Sequence, residues 1–199
     1  MTFLVVMDPI GLAPVFLGLV AGRPLSEQRE IARRAVFIAA VLLVLFALFG
    51  EPLLRYLGIR LEAFRIAGGL LLLKIAVDMV FAHRERETPE EEAEARLRGD
   101  ISVFPLAIPL LVGPGAMASV LVLTGEARVL PWGTWIVVGA GLLVLLIAYV
   151  ALLLSRWIAR ALGRTGVNVV TRVLGILLAA LAVEFMVDGL LGLGFARPV

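Results

Sequence analysis

Asp8 stands inside an otherwise apolar stretch, with Pro9 directly after it, Gly11 three positions on and Pro14 beyond. A carboxylate inside a membrane-length apolar segment costs about 3 kcal/mol to insert and is a functional hypothesis by default. Two roles fit. Asp is a strong N-cap and proline suits the first helical position, so Asp8 is expected to accept a hydrogen bond from the Gly11 amide at the head of a half-helix. The same charge could hold an ammonium group or a coupling cation. A second cluster, Gly113-Pro114-Gly115-Ala116, repeats the pattern without the acid. Half-helices opening at Pro9 and Pro114 present unpaired amides and the positive end of a helix dipole, which suits a carboxylate. One small zwitterion satisfies both ends. Gly11, Gly115 and Ala116 leave little side-chain bulk in its way. Ser119 and Thr124 either add hydroxyls or simply pack against a neighbouring helix. The candidate binding residues are Asp8, Pro9, Gly11, Pro14, Gly113, Pro114, Gly115, Ala116 and Ser119.

Coupling to an ion needs an ionisable group within the apolar runs, and the candidates are Asp8, Asp78 and Glu184. Lys74 and Asp78 are four apart on one helical face, where they either neutralise each other or relay a proton. Glu184 and Asp188 are also four apart, and like charges on one face repel. Asp188-Gly189 reads as the exit of a span, which leaves Glu184 as the acid expected to be buried. Arg65 and Arg172 are expected to snorkel to the interfaces, and His83 to lie at an interface with no chemical role. The chain has no cysteine and one histidine. Disulfides, thiolate metal sites and cysteine nucleophiles are excluded, and a histidine zinc site lacks its partners. No H-E-x-x-H, G-x-S-x-G, G-x-G-D or P-loop pattern occurs. The reading is therefore not an enzyme, with no cofactor, no metal and no direct ATP coupling in this chain.

The elements that must position these residues follow from composition. The chain has 199 residues, 61% hydrophobic and 17% charged, with a mean hydropathy of +1.05. A soluble domain carries roughly 45–50% apolar and about 25% charged residues. The excess is too large for one buried core, so the lipid bilayer is the surrounding solvent. Six apolar runs approach spanning length: 2–20, 31–50, 63–81, 101–124, 135–158 and 169–193. The expected fold is an all-α membrane protein of six transmembrane helices in a single domain, with the first and fourth helices broken at Pro/Gly motifs. The first run does not read as a cleaved leader, because it lacks a basic flank and contains Asp8, Pro9 and Pro14.

Alternate connections carry 11 arginines on one side and, with Arg197, four on the other. The positive-inside rule places the basic side in the cytoplasm and both termini outside. The 17 arginines and one lysine are topology signals, not a nucleic-acid patch. In the longest connection, Thr88-Pro89-Glu90-Glu91 has a capping-box shape. Glu92 with Arg96 and Glu94 with Arg98 add acid-before-base pairs, so a short solvated helix is expected there.

The halves of the chain resemble each other. Pro9 and Ala13 align with Pro114 and Ala118, which sets Asp8 opposite Gly113. Arg65, Gly68, Leu70 and Leu71 align with Arg172, Gly175, Leu177 and Leu178. Three spans in each half make the second enter from the opposite face. This is an inverted repeat, about 1–82 and 101–199, with a cytoplasmic linker at about 83–100. Paired Gly/Pro-interrupted spans at equivalent positions of two inverted halves are the best sequence pointer to a transporter's substrate site. Unpaired backbone groups there cannot face lipid.

The run Asp8-Pro9-Ile10-Gly11-Leu12-Ala13-Pro14-Val15-Phe16 resembles the D-P-x-G-x-x-P-x-F signature of the MarC family. Phe64-Arg65-Ile66-Ala67-Gly68-Gly69 resembles its third-span start, and the stretch from Pro105 to Gly115 its fourth-span signature. Gly166-Val167-Asn168 with Arg172 and Gly175 resembles its sixth span. The resemblance covers essentially the whole chain. It implies six spans in the inner cell membrane and transport of small neutral amino acids, in a family placed near the LysE-type exporters. It further implies glycine- or alanine-sized substrates moved with a proton or sodium gradient. Members usually carry a longer apolar stretch before the Asp-Pro; here seven residues precede Asp8, about 10 Å of helix.

The leading expectation is a secondary transporter working by alternating access around a midplane site. The alternatives are an exporter or channel for another small solute, and a non-transporting membrane assembly protein. The partners expected are a neutral amino acid, a coupling cation (H+ or Na+) and the bilayer, with no nucleic acid; a homo-oligomer is compatible with the sequence.

Overall fold

The first apolar run forms two helices. The computed structural model of the protein describes residues 1–81 and 100–194, apart from the Arg164 side chain. His83 and the helix expected after Thr88 lie outside the described residues. Helix α1 (Thr2–Met7) ends at Asp8, whose backbone is left-handed (φ 37°, ψ 67°), and α2 (Pro9–Leu19) begins at the next residue. A left-handed residue turns the chain out of the helical ladder. Pro9 is accepted at the first position, where an amide would have no helical partner.

Helix α3 (Leu25–Tyr56) has 32 residues and α4 (Leu61–Phe81) has 21. Helix α5 (Ser102–Leu111) is irregular. The amides of Leu106 and Val112 donate to carbonyls five residues back, at 3.3 and 3.0 Å. Phe104 and Ile108 are extended, and each precedes a proline, which disfavours the helical conformation before it. Helix α6 (Pro114–Glu126) runs into a short turn (Ala127–Val129), then come α7 (Gly133–Leu153) and α8 (Ser155–Gly192). The connection after the fifth apolar run is thus helical except at Gly163, where φ is 60°.

The most extensive helix pair is α4 with α8. A Cβ on Gly69 would stand 2.7 Å from the Ala182 carbonyl oxygen, and one on Gly175 would stand 2.9 Å from Met79 Cβ. Small residues let the two backbones close up, which is how helices associate when the surrounding lipid is as apolar as they are. Helix α3 packs on α7, with Ala39, Leu43, Leu145 and Ala148 in the shared core. Helix α2 lies against α7 and α8; α6 lies against α3 and α4. Helix α1 touches α6, α7 and α8, and α5 lies along α3.

The periphery is apolar. Phe37, Val41 and Leu45 of α3, Leu143 and Leu146 of α7, and Val173 and Ile176 of α8 all face outward. Exposed Tyr56 and Trp132 lie at one end of the helices and Trp157 at the other, as interfacial aromatic residues do. Among the described residues, four helices are long and apolar enough to cross a membrane: Thr2–Leu19 taken together, Leu25–Tyr56, Gly133–Leu153 and Thr165–Gly192. The pair Ser102–Leu111 and Pro114–Val129, bent by 52°, makes a fifth if it is one broken span. Helix α4 is long enough as well, but Glu62, Arg65, Lys74 and Asp78 make it too charged to pass as a plain apolar span. All the described elements are helical, and the chain is an integral membrane protein.

Candidate functional site

The Asp8 carboxylate folds back over the head of α2. Its Oδ1 accepts a hydrogen bond from the Gly11 amide at 2.9 Å, and the residue is only 9% exposed. The Asp8 amide donates to the Leu4 carbonyl at 3.2 Å. One residue therefore closes α1 and opens α2, helped by the tolerance of Asp for the left-handed region. Pro9 and Gly11 are buried, and Pro14 is half-buried within α2.

At the second break, Gly113 caps α6 with an extended backbone (φ −85°, ψ −179°) and no side chain to accept a hydrogen bond. A Cβ there would lie 2.4 Å from the Pro109 carbonyl oxygen, so the close fold of α5 onto the break requires glycine. Pro114, exposed, has no amide to give. The first amides at the head of α6 are those of Gly115 and Ala116, with no acid in the first turn. The two breaks differ chemically: one helix head carries its own carboxylate and the other does not.

The breaks adjoin. A Cβ on Gly115 would stand 3.4 Å from Val6 Cγ1, two residues before Asp8, and 2.7 Å from Leu72 Cδ2 and 3.2 Å from Ile75 Cδ1 of α4. The bareness of Gly115 thus lets α6 nest between α1 and α4. Ala116 and Ser119 are buried there. Ser119 Oγ donates to the Gly115 carbonyl at 2.9 Å, and Thr124 Oγ1 donates to the Val120 carbonyl at 2.8 Å. Both hydroxyls bond back to their own helix, as such residues commonly do in helix interiors.

The other acids lie elsewhere. Asp78 is half-buried and pairs with Lys74 at 3.9 Å. Glu184, expected to be buried, is exposed on the outside of α8, while Asp188 is half-buried. Ala182 and Met186 are the positions α8 turns toward α4, and Glu184 lies two residues from each, about 200° round the helix. Arg172 is exposed and Arg65 is half-buried. Its side chain is 18% exposed and pairs with Glu126 at 3.3 Å, tying α4 to the end of α6. Glu51 of α3 receives Arg55 at 3.2 Å and also pairs with Arg128 of the turn after α6. These pairs border a cleft of about 400 Å³ lined by Glu51, Arg55, Arg60 and Glu62 among others. Among the described residues, no group of three His, Asp or Glu side chains could hold a metal ion.

Reading the sequence missed Val6, Leu72 and Ile75 at the junction. An apolar residue in an apolar run carries no signal of which neighbour it meets. It also missed the pairing of Arg65 with Glu126, for which the one available hint was an arginine at the start of a charged span.

Two helices, each broken beside a proline and meeting inside a helical membrane protein, define the class: a polytopic α-helical integral membrane protein with paired broken helices. The chain belongs to the MarC family, whose description as MarC family integral membrane protein matches residues 1–193. A UPF0056 membrane protein of Methanocaldococcus jannaschii is 40% identical over 188 residues, covering 94% of this chain and 91% of that one. One from Aquifex aeolicus is 41% identical over 192 residues, covering 96% and 89%. The UPF0056 membrane protein YhcE of Escherichia coli is 32% identical over 189 residues, covering 94% and 87%. No solved structure matches the chain.

Proposed function

We propose that the protein is a secondary transporter of small neutral amino acids, of glycine or alanine size, driven by a proton or sodium gradient. The proposal sets six helices across the inner cell membrane as two inverted three-helix repeats, about 1–82 and 101–199, joined by a cytoplasmic linker, with both termini outside. Transport proceeds by alternating access around a midplane site at the two breaks. The role is not enzymatic.

The observation that carries this reading is the meeting of two chemically unlike helix heads, with Val6 of the first break against Gly115 of the second. The substrate ammonium goes to Asp8, and its carboxylate goes to the amides of Gly115 and Ala116 at the positive end of the α6 dipole. Pro9, Gly11, Pro14, Gly113 and Pro114 shape the two breaks, and Ser119 braces α6 through the Gly115 carbonyl. Asp8 is the first coupling candidate and Asp78 the second; an outward-facing Glu184 fits that role poorly. The repeat is supported by reciprocal packing. Helix α2 lies on α7 and α8 as α6 lies on α3 and α4, while α3 pairs with α7 and α4 with α8. Asp8 and Gly113 each immediately precede a proline that opens a helix.

The test is uptake or efflux of glycine and alanine in proteoliposomes, with and without an imposed proton or sodium gradient. Gradient-dependent flux of either substrate is expected. Folded, inserted protein that moves neither substrate in either direction under either gradient would overturn the proposal.

A further inference from the structure

Two charged residues of the membrane-embedded helices face outward. Lys74 of α4 is exposed and pairs with half-buried Asp78, and Glu184 of α8 is exposed. Their depth follows from what their helices touch. Gly69 of α4 sits against Ala182 and Met186 of α8, and Gly175 of α8 sits against Ala76 and Met79 of α4. Lys74 falls between these contacts, level with the central part of the span Thr165–Gly192. Glu184 is level with Gly69, so it lies about 7.5 Å from Lys74 in depth, five residues at 1.5 Å each. The neighbouring outward positions are apolar: Leu70, Leu71 and Val77 on α4, and Val183 and Val187 on α8. Ionisable side chains at such depth face a bundle interior or a cavity, or pair with one another, rather than acyl chains. Glu184 has no ion-pair partner among the described residues, and the ammonium of Lys74 remains outward even while paired with Asp78.

We infer that the outer face of α4 and α8 is an interface between two copies of this chain. The face is self-complementary, with a cation on one helix and an acid on the other. A two-fold axis along the membrane normal lays α4 of each copy over α8 of the other, which is the isologous arrangement. It brings Lys74 toward Glu184 of the partner subunit, and does so twice. The edges match. On α4, Gly68 and Ile75 face α6, and Lys74 lies at the outer border on that side. On α8, Glu184 lies on the side turned away from α4. Antiparallel placement of the two ribbons superposes these borders. The depth offset is within the combined reach of an extended lysine and a glutamate. The inference does not depend on the transport reading.

The chain has no cysteine, so introduced thiols report without background. Full-length Lys74→Cys and Glu184→Cys proteins, carrying different tags, are co-expressed and treated in the membrane with a short bis-maleimide. A mixed-tag dimer is expected, at least tenfold above that formed when Phe37→Cys on the outer face of α3 replaces Lys74→Cys. Single-molecule photobleaching of wild type in bilayers should give two-step traces. Lys74→Glu should shift the population to single steps, and Lys74→Glu with Glu184→Lys should restore two. Single-step traces for wild type at every density would overturn the inference. So would a two-step species that gives no Lys74→Cys to Glu184→Cys product.

Discussion

A Cβ on Gly11 would stand 1.9 Å from Oδ2 of Asp8. The cap that joins α1 to α2 therefore depends on two residues: an acid to accept the hydrogen bond, and a glycine three positions later to leave room for it. Gly11→Ala should push the carboxylate off the Gly11 amide and remove the cap, a loss of about 1 kcal/mol. Thermal unfolding in detergent should show a lowered Tm close to that of Asp8→Ala. An unchanged Tm would mean that the carboxylate finds a second rotamer of equal worth.

Asp8→Asn separates cap from charge. Asn caps a helix nearly as well as Asp, so stability should barely move. Charge-assisted contacts in a low-dielectric site are worth about 1.5–3 kcal/mol or more. Initial-rate uptake of glycine or alanine should therefore fall on the order of a hundredfold at matched protein in the membrane. Equal rates for wild type and Asn, with only Asp8→Ala impaired, would reduce Asp8 to a structural cap and move the search for coupling to Asp78.

Gly115 is the point where α6 touches both α1 and α4. A Cβ there would meet Leu72 Cδ2 at 2.7 Å and Val6 Cγ1 at 3.4 Å. Gly115→Val should cost about 1–3 kcal/mol through overpacking and separate the two breaks. Leu72→Ala in the same chain should recover part of the stability, because it vacates the clashing position. Recovery of stability without recovery of transport would locate the functional need at the junction itself.

The Arg65–Glu126 pair joins α4 to the end of α6 at 3.3 Å, and Arg65 Nε is buried without a hydrogen-bond partner. Removing the acid alone leaves a mostly buried guanidinium without its counter-charge. Glu126→Ala should destabilise by about 1–3 kcal/mol, and Arg65→Met with Glu126→Ala by less than the two single changes added together. Additive losses in denaturant or thermal unfolding would show that the pair has no coupling worth counting.

The basic connections number 11 arginines against four. Ser26, at the start of α3, and Ile59, between α3 and α4, are both exposed and lie at opposite ends of the molecule. Ser26→Cys should resist an impermeant thiol reagent applied from outside, and Ile59→Cys should react. The reverse pattern would invert the proposed topology.

The Asp8–Gly11 hydrogen bond was legible in the sequence because a cap involves residues three apart and one side-chain conformation. The breaks at Asp8 and Gly113 were legible for the same reason, since proline and glycine act on their own backbone. Helix ends were less so. The apolar run 31–50 belongs to a helix from Leu25 to Tyr56, and the connection after the run 135–158 is helical apart from Gly163. Hydropathy reports contact with lipid, whereas a helix continues through polar turns as long as its backbone hydrogen bonds do.

The orientation of each helix about its own axis was beyond the sequence. Spacing of four puts Glu184 and Asp188 on one side of α8, but it does not say whether that side meets protein or lipid. The close approach of Gly69 to Ala182, and of Gly175 to Met79, turns α8 so that Glu184 faces out. By itself, the sequence determined the membrane class, the two helix breaks and the cap at Asp8, because composition and short-range backbone chemistry suffice for these. Only the tertiary structure decided that Val6 meets Gly115, that Arg65 meets Glu126 and that Glu184 points away from both breaks. Those contacts join residues far apart in the chain, and they follow from which small residues let which helices close, a choice made by packing all the helices at once.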